Sequence, residues 1–215
     1  MKTCLIMSGG SINLKFAADF LGNRTYDFIV AADAGAEVLK KLSLTPDEIV
    51  GDLDTVNPAV IKEYAQKSVR MEIHNAEKDE TDTELALMTA VREGCHRADM
   101  LGALGGRMDH ALSNIQLLYQ YYLRGLDVHI VDERNDLYIL NSGRTFYRDK
   151  LYGKYISFLP LTETVEGLTL KGFKYPLQNK ELHLGTSLCI SNELAEETGT
   201  LEVKKGALIC VESHD

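Results

Sequence analysis

Asp27-Phe28-Ile29-Val30-Ala31-Ala32-Asp33-Ala34-Gly35-Ala36-Glu37-Val38-Leu39-Lys40-Lys41-Leu42 is the stretch that decides the fold. Phe28 to Ala32 run apolar without alternation, as in a strand covered on both faces. The run stops at Asp33. From Ala36 onward, Val38, Leu39 and Leu42 fall on one helical face. Thr3 to Met7 make a similar strand, ending in Ser8-Gly9-Gly10-Ser11 before a helix over 13–21. Downstream, Ile49-Val50 ends at Gly51-Asp52, and Asn57 and Pro58 open a helix to Gln66 as cap and first residue. Val69 to His74 reads as a strand and Thr81 to Arg92 as a helix, with Thr81 and Glu84 at capping-box spacing. A strand over 98–104, a helix over 110–123 and a strand over 128–131 close the series. Strands alternating with helices of this length predict a parallel sheet with helices on both faces.

The pattern changes near residue 133. Short runs follow at 136–141, 155–159, 164–170, 187–191, 200–203 and 207–211, separated by turns such as Asn141-Ser142-Gly143 and Lys205-Gly206. That spacing predicts an antiparallel β-sandwich. The fold class is therefore α/β: an N-terminal parallel-sheet α/β domain over 1–132, then a C-terminal β-sandwich domain over 133–215.

With 215 residues the chain can bury a sizeable core. A formal net charge of −9 argues against a general nucleic-acid surface. Cys4, Cys95, Cys189 and Cys210 form no C-x-x-C pair and read as buried thiols of a reducing compartment. The first apolar run ends at Ser8-Gly9-Gly10, too early for a signal peptide, and no stretch is long enough to span a bilayer. These readings predict a cytoplasmic protein with no nucleic-acid and no membrane partner.

Acids and glycines gather where the predicted strands end, the place at which an open parallel sheet binds its ligands. Asp33, Asp52 and Asp54 lie there, as do Gly105 and Arg107. Asp52 and Asp54 are two apart, so an extended backbone points both to one side, roughly 7 Å apart. Asp is also common in ordinary turns. Asp79, Asp82 and Glu84 surround the start of a helix, where capping and the helix dipole favour acids without any ligand; Lys78 and Asp79 extend that cluster beyond what a cap needs. Grouped carboxylates repel one another unless a cation sits among them, and oxygen ligands beside a phosphate substrate suit Mg²⁺. Gly105-Gly106-Arg107 offers open backbone and a fork of donors to phosphate oxygens. Asp109 either fixes that arginine or touches the metal. Ser8-Gly9-Gly10-Ser11 is a weak phosphate-loop signal, and neither a P-loop nor a dinucleotide fingerprint is present. The residues thus describe an enzyme handling a nucleoside phosphate through magnesium.

Asp33-x-Gly35, Gly51-Asp52-Leu53-Asp54-Thr55, Lys78-Asp79-Glu80-Thr81-Asp82 and Gly105-Gly106-Arg107-Met108-Asp109-His110, in this order, resemble bacterial thiamine pyrophosphokinases. So do Gly172 to Leu177 and Ser191-Asn192-Glu193. The resemblance covers nearly the whole chain; Ala34 departs from it where the family often has glycine. It implies transfer of the pyrophosphoryl group of ATP to the hydroxyl of thiamine, with release of AMP. It implies a homodimer whose active site lies at the subunit interface, between the nucleotide-binding α/β domain of one copy and the thiamine-binding β domain of the other. By carry-over, Asp33, Asp52, Asp54 and Asp82 hold Mg²⁺. Ser8, Gly9, Gly35, Lys78, Gly106 and Arg107 face ATP, Arg107 and Asp109 belong to the catalytic region, and Tyr175, Ser191 and Asn192 line the thiamine pocket. Either Asp54 or Asp82 takes the hydroxyl proton. Thiamine is a flat cation, which an acidic cleft attracts and an aromatic face can hold.

Overall fold

Cys4 to Met7 are all buried, so β1 (Thr3–Met7) needs neighbours on both edges and cover on both faces. It finds β2 (Phe28–Ala32) on one edge and β5 (Arg97–Leu101) on the other, both parallel. The sheet continues through β3 (Glu48–Gly51) to β4 (Arg70–Ile73) on one side and to β6 (Asp127–Val131) on the other, giving the order β4-β3-β2-β1-β5-β6. Every pairing in it is parallel. The order reverses between β1 and β5, and a crevice opens beyond the strand ends at such a point.

Five helices connect these strands: α1 (Leu14–Leu21), α2 (Gly35–Lys41), α3 (Pro58–Gln66), α4 (Asp82–Arg92) and α5 (Met108–Leu123). Their starts follow from local chemistry. Asn13 caps α1 by accepting from the N–H groups of Lys15 and Phe16, and Asn57 caps α3 ahead of Pro58. Thr81 Oγ1 accepts from the Glu84 N–H at 3.2 Å. The Glu84 carboxylate accepts from Gln120 at 3.3 Å, tying α4 to α5.

This computed structural model describes residues 1–75 and 77–215 and divides into two units, Met1–Glu133 and Arg134–Asp215. The second holds two antiparallel sheets. One has the order β7 (Asn135–Leu140), β13 (Leu208–Ser213), β9 (Tyr155–Pro160). The other has the order β11 (Leu177–His183), β10 (Thr164–Lys171), β12 (Thr198–Glu202), β8 (Arg144–Tyr147). Both contribute to one core, in which Phe146, Phe158 and Phe173 meet edge-on with centroids 5.8 Å apart. Each such pair adds about 0.5–1.5 kcal/mol beyond the area it buries. Among the described residues, no helix is long and apolar enough to cross a membrane.

Three expectations on elements need correction. The strand read over 98–104 ends at Leu101, because Gly102 takes φ +74° and turns the chain out of the sheet. Ser187 to Ser191 form turns rather than a strand: Cys189 is buried, while its neighbours Leu188 and Ile190 face outward. The strands β8 and β11 have no counterpart in the sequence reading.

Candidate active site

The cleft of the first unit is built by segments that follow β1, β2, β3, β4 and β5, together with the starts of α4 and α5. It has a volume of about 470 Å³. Glycines let these loops approach one another. A Cβ on Gly10 would sit 2.3 Å from the Gly102 carbonyl oxygen, and one on Gly105 would sit 2.2 Å from that of Ser11. No larger residue fits either place. Asn114 on α5 donates to the Ala103 carbonyl at 2.8 Å and holds the loop after β5 from behind.

Carboxylates occupy one side. Asp33 follows β2 with φ +45°, a left-handed conformation that Asp tolerates better than most residues. Oxygens of Asp33, Asp52 and Asp54 lie within 4.8 Å of one another. Asp33 Oδ2 accepts from the Thr55 hydroxyl, whereas the buried Oδ1 has no hydrogen-bond partner among the described residues. Asp52 Oδ1 accepts from the Asp54 N–H at 3.2 Å, which folds the Asp52-Leu53-Asp54 turn. Asp82 comes in from α4: a Cβ on Gly51 would lie 3.1 Å from Asp82 Oδ1 and 3.4 Å from the Asp33 Cβ. The missing side chain of Gly51 is what lets the two acids converge. The Asp54 carboxyl is pushed above its ordinary range, first by its hydrogen bond and charge contact with Asp52, then by Asp33 and Asp82.

One cation stands among these acids. The Lys78 ammonium, with 12% of its side chain exposed, lies 2.9 Å from Asp82 Oδ1 and 3.8 Å from Asp52 Oδ2. Burial works against its charge, but Asp82, Asp52 and Asp33 outweigh that and raise its pKa. An oxygen-only donor set with an orphaned buried carboxylate oxygen fits a hard divalent cation such as Mg²⁺.

The opposite side of the cleft carries Ser8, Gly9, Gly10, Gly105 and Arg107. Ser8 is buried, and its Oγ accepts from Thr83 Oγ1 at 3.2 Å, linking the first loop to α4. Gly106 has φ +97° and open space around its Cα. Arg107 forms a two-pronged pair with Asp109, at 3.1 and 2.5 Å, which keeps the arginine charged and Asp109 below its usual range. Both are well exposed, and only Arg107 lines the cleft. Gly35 does not line it. A Cβ there would lie 1.9 Å from the Met7 carbonyl oxygen, so this glycine lets α2 pack against β1. Thr55, Thr83 and Asn114 are cleft supports that sequence reasoning missed; Thr55 and Thr83 sit inside the quoted motifs, whereas Asn114 carries no sequence signal.

The three remaining expected residues lie in the second unit. Tyr175 is 57% exposed, with the Lys174 ammonium 5.6 Å from its ring centroid. Glu193 holds that lysine at 3.0 Å. Asn192 is 2% exposed, and its amide is already engaged. Its Oδ1 accepts from the N–H groups of Tyr175 and Glu193, and its Nδ2 donates to the Tyr175 carbonyl. It braces the Tyr175 turn from inside. Ser191 has φ +55° and an exposed side chain, with its N–H donating to Ser157 Oγ at 2.9 Å.

Comparisons with known proteins agree over the whole chain. Residues 23–130 match the family model of the thiamin pyrophosphokinase catalytic domain, and residues 144–208 match that of the thiamin pyrophosphokinase vitamin B1 binding domain. The chain is 36% identical over 216 residues to a thiamine pyrophosphokinase of Bacillus subtilis, covering all of both chains. A crystal structure of thiamine pyrophosphokinase from that organism superposes with a TM-score of 0.88 at 33% identity, again over all of both chains. One of thiamin pyrophosphokinase from Geobacillus thermodenitrificans gives 0.84 at 33% identity, covering 100% of this chain and 98% of the other.

Proposed function

The chain belongs to the thiamine pyrophosphokinase family, and from that membership we propose how its own residues carry out the reaction. It is a thiamine diphosphokinase and forms thiamine diphosphate. A bond forms between the thiamine hydroxyl oxygen and the β-phosphorus of ATP, the bond from that phosphorus to AMP breaks, and the hydroxyl proton passes to a carboxylate. Positioning and charge neutralisation carry most of the acceleration in such transfers.

The observation that carries the reading is the convergence of Asp33, Asp52 and Asp54 within 4.8 Å, with Asp33 Oδ1 buried and unpartnered among the described residues. We assign these three and Asp82 to Mg²⁺, which when bound neutralises and orients the triphosphate. The Ser8-Gly9 loop and the open backbone at Gly106 receive the phosphates, Arg107 donates to their oxygens, and Asp109 keeps the guanidinium aimed. Lys78 faces the same chain of phosphates. Either Asp54 or Asp82 takes the hydroxyl proton. Tyr175 offers its ring to the thiamine cation, Ser191 its hydroxyl to the aminopyrimidine, and Asn192 holds both in place. We place the enzyme in the cytoplasm, on the strength of four free buried thiols.

The test is nucleotide release from ATP and Mg²⁺ with and without thiamine. AMP that appears only with thiamine and metal together is the expected result. ADP in place of AMP, or AMP formed without thiamine, overturns the assignment. We also propose a homodimer in which each cleft is completed by Tyr175 of the other copy. Mixing Asp54→Asn chains with Tyr175→Ala chains then restores activity above either parent; no gain on mixing, or a monomer in light scattering, contradicts it.

A further inference from the structure

The Lys78 ammonium pairs with two of the grouped carboxylates, Asp52 and Asp82. We infer that Lys78 is a resident counter-ion: it occupies Asp52 and Asp82 in the metal-free enzyme, yields them to the divalent cation, and turns to the polyphosphate oxygens. The inference rests on the reading of Asp33, Asp52, Asp54 and Asp82 as the metal site, and adds that the site is held together beforehand by an exchangeable charge of the chain itself.

The geometry around Lys78 is that of a loose tenant rather than a staple. Its ammonium sits 2.9 Å from Asp82 Oδ1, yet that oxygen lacks an aligned hydrogen bond, and the contact to Asp52 is longer, at 3.8 Å. Among the described residues Lys78 makes these two ion pairs and no aligned hydrogen bond. Lys67 shows the contrast: it meets Glu63 at 2.9 Å in an aligned hydrogen bond. An ammonium carries three donors on a flexible four-carbon stem, so it changes partners at little cost in strain. Among the described residues, Lys78 is the one cation paired with Asp33, Asp52, Asp54 and Asp82, which leaves this group acidic and favours replacement by a doubly charged ion. Lys78 also lines the same cleft as Ser8, Gly9, Gly10, Gly105 and Arg107, where the phosphates are placed. With nucleotide bound, a lysine displaced from Asp82 finds phosphate oxygens in the same cleft. Metal and nucleotide binding become coupled, because the nucleotide accepts the charge that the metal expels.

Two ligands measured on one variant test this with opposite signs. Mn²⁺ binding without nucleotide is followed by loss of the free-ion electron paramagnetic resonance signal. Binding of a non-hydrolysable ATP analogue is followed by calorimetry in saturating Mg²⁺. Lys78→Met should tighten Mn²⁺ by about tenfold, since a competing charge a few ångströms away is gone. The same variant should bind the analogue about tenfold more weakly, having lost a phosphate partner. Lys78→Arg, which keeps the charge, should leave Mn²⁺ affinity near that of the parent. Mn²⁺ affinity unchanged or weakened in Lys78→Met overturns the exchange and makes Lys78 a fixed brace, since general damage weakens both ligands together. Asp52→Asn is the control for the underlying reading. If it binds Mn²⁺ as well as the parent, the metal site itself is wrongly placed and the exchange falls with it; if it loses Mn²⁺, the sign of the Lys78→Met result alone decides.

Discussion

Two clusters of carboxylates sit on the same parallel sheet and differ in what surrounds them. Around Glu48 on β3, two arginines bridge three carboxylates. Arg92 meets Glu48 at 2.5 Å and Glu72 at 2.6 Å, and Arg70 meets Glu93 at 2.8 Å and Glu48 at 3.2 Å. In the cleft, Asp33, Asp52 and Asp54 converge with Asp82 beside them, and among the described residues Lys78 is the one cation paired with this group, through Asp52 and Asp82. The electrostatic consequences have opposite signs. Arg92 pulls the Glu72 carboxyl below its usual range and Arg70 does the same for Glu93, whereas Asp52 pushes Asp54 up. A carboxylate matched by arginine holds the fold together. One left to repel its neighbours is destabilising by itself, a cost that the proposed cation would relieve.

The sharpest way to break this contrast is to neutralise one acid of each cluster. Asp54→Asn, or Asp82→Asn, should lower turnover by about 10²–10³-fold, as for loss of a group that stabilises transition-state charge, while the melting temperature stays near that of the parent. AMP release and thermal melting on the same samples check it; near-normal turnover in a folded variant removes that acid from the site. Glu48→Ala should do the reverse. It should cost about 2 kcal/mol of stability, below the ~3–5 kcal/mol of a fully buried pair because Arg70 and Arg92 are half exposed and reach water. KM for both substrates should hardly move. A large loss of activity at unchanged stability would show that the Glu48 cluster belongs to the chemistry.

Tyr175 sharpens the comparison from the other substrate. If the acids serve metal and ATP, thiamine affinity is set elsewhere. Tyr175→Ala should raise the thiamine KM about five- to thirtyfold, from roughly 1–2 kcal/mol of lost cation–π contact, and leave the ATP KM little changed. Tyr175→Phe keeps the ring and should be milder. Equal losses toward both substrates with a lower melting temperature would mean that the ring only packs the β unit.

Much of this was readable in the sequence, for reasons that can be named. The parallel strands were legible because β1, β2 and β3 are buried along almost their whole length and run into Ser8-Gly9, Asp33 and Gly51-Asp52. The convergence of Asp33 with Asp52 and Asp54 follows once those ends are placed. The strand β11 was not legible: of Leu177 to His183 only Leu182 is fully buried, so no alternation betrays it. Leu188-Cys189-Ile190 misled in the other direction, since an apolar triplet looks like a strand even when two of its side chains point outward. Nor does spacing announce that Lys78 meets Asp82 across the start of α4, or that Asn192 spends its amide on the Tyr175 backbone. Such contacts depend on where loops return in space, which neither period nor propensity encodes.

The smallest effect expected is in acid. Glu72 and Glu93 have folded pKa values below their ordinary 4.5, so the stability they contribute is fully present above that pH and fades as pH falls through the depressed values. Melting curves of the parent and of Glu72→Gln should therefore differ modestly at neutral pH and converge as the pH falls below the ordinary 4.5. A gap that widens in acid would reverse the sign assigned to this cluster.

The central claim, that the unmatched acids are a metal site and the matched ones a brace, meets its most direct test in Mn²⁺ binding to two variants. Asp33→Asn keeps a side chain that tolerates the left-handed backbone at this position, so its fold should survive. Titrated with Mn²⁺ at neutral pH, Asp33→Asn should lose binding and Glu48→Ala should retain the parent's affinity. Parent-like binding by Asp33→Asn, or loss of binding in Glu48→Ala alone, would contradict the account.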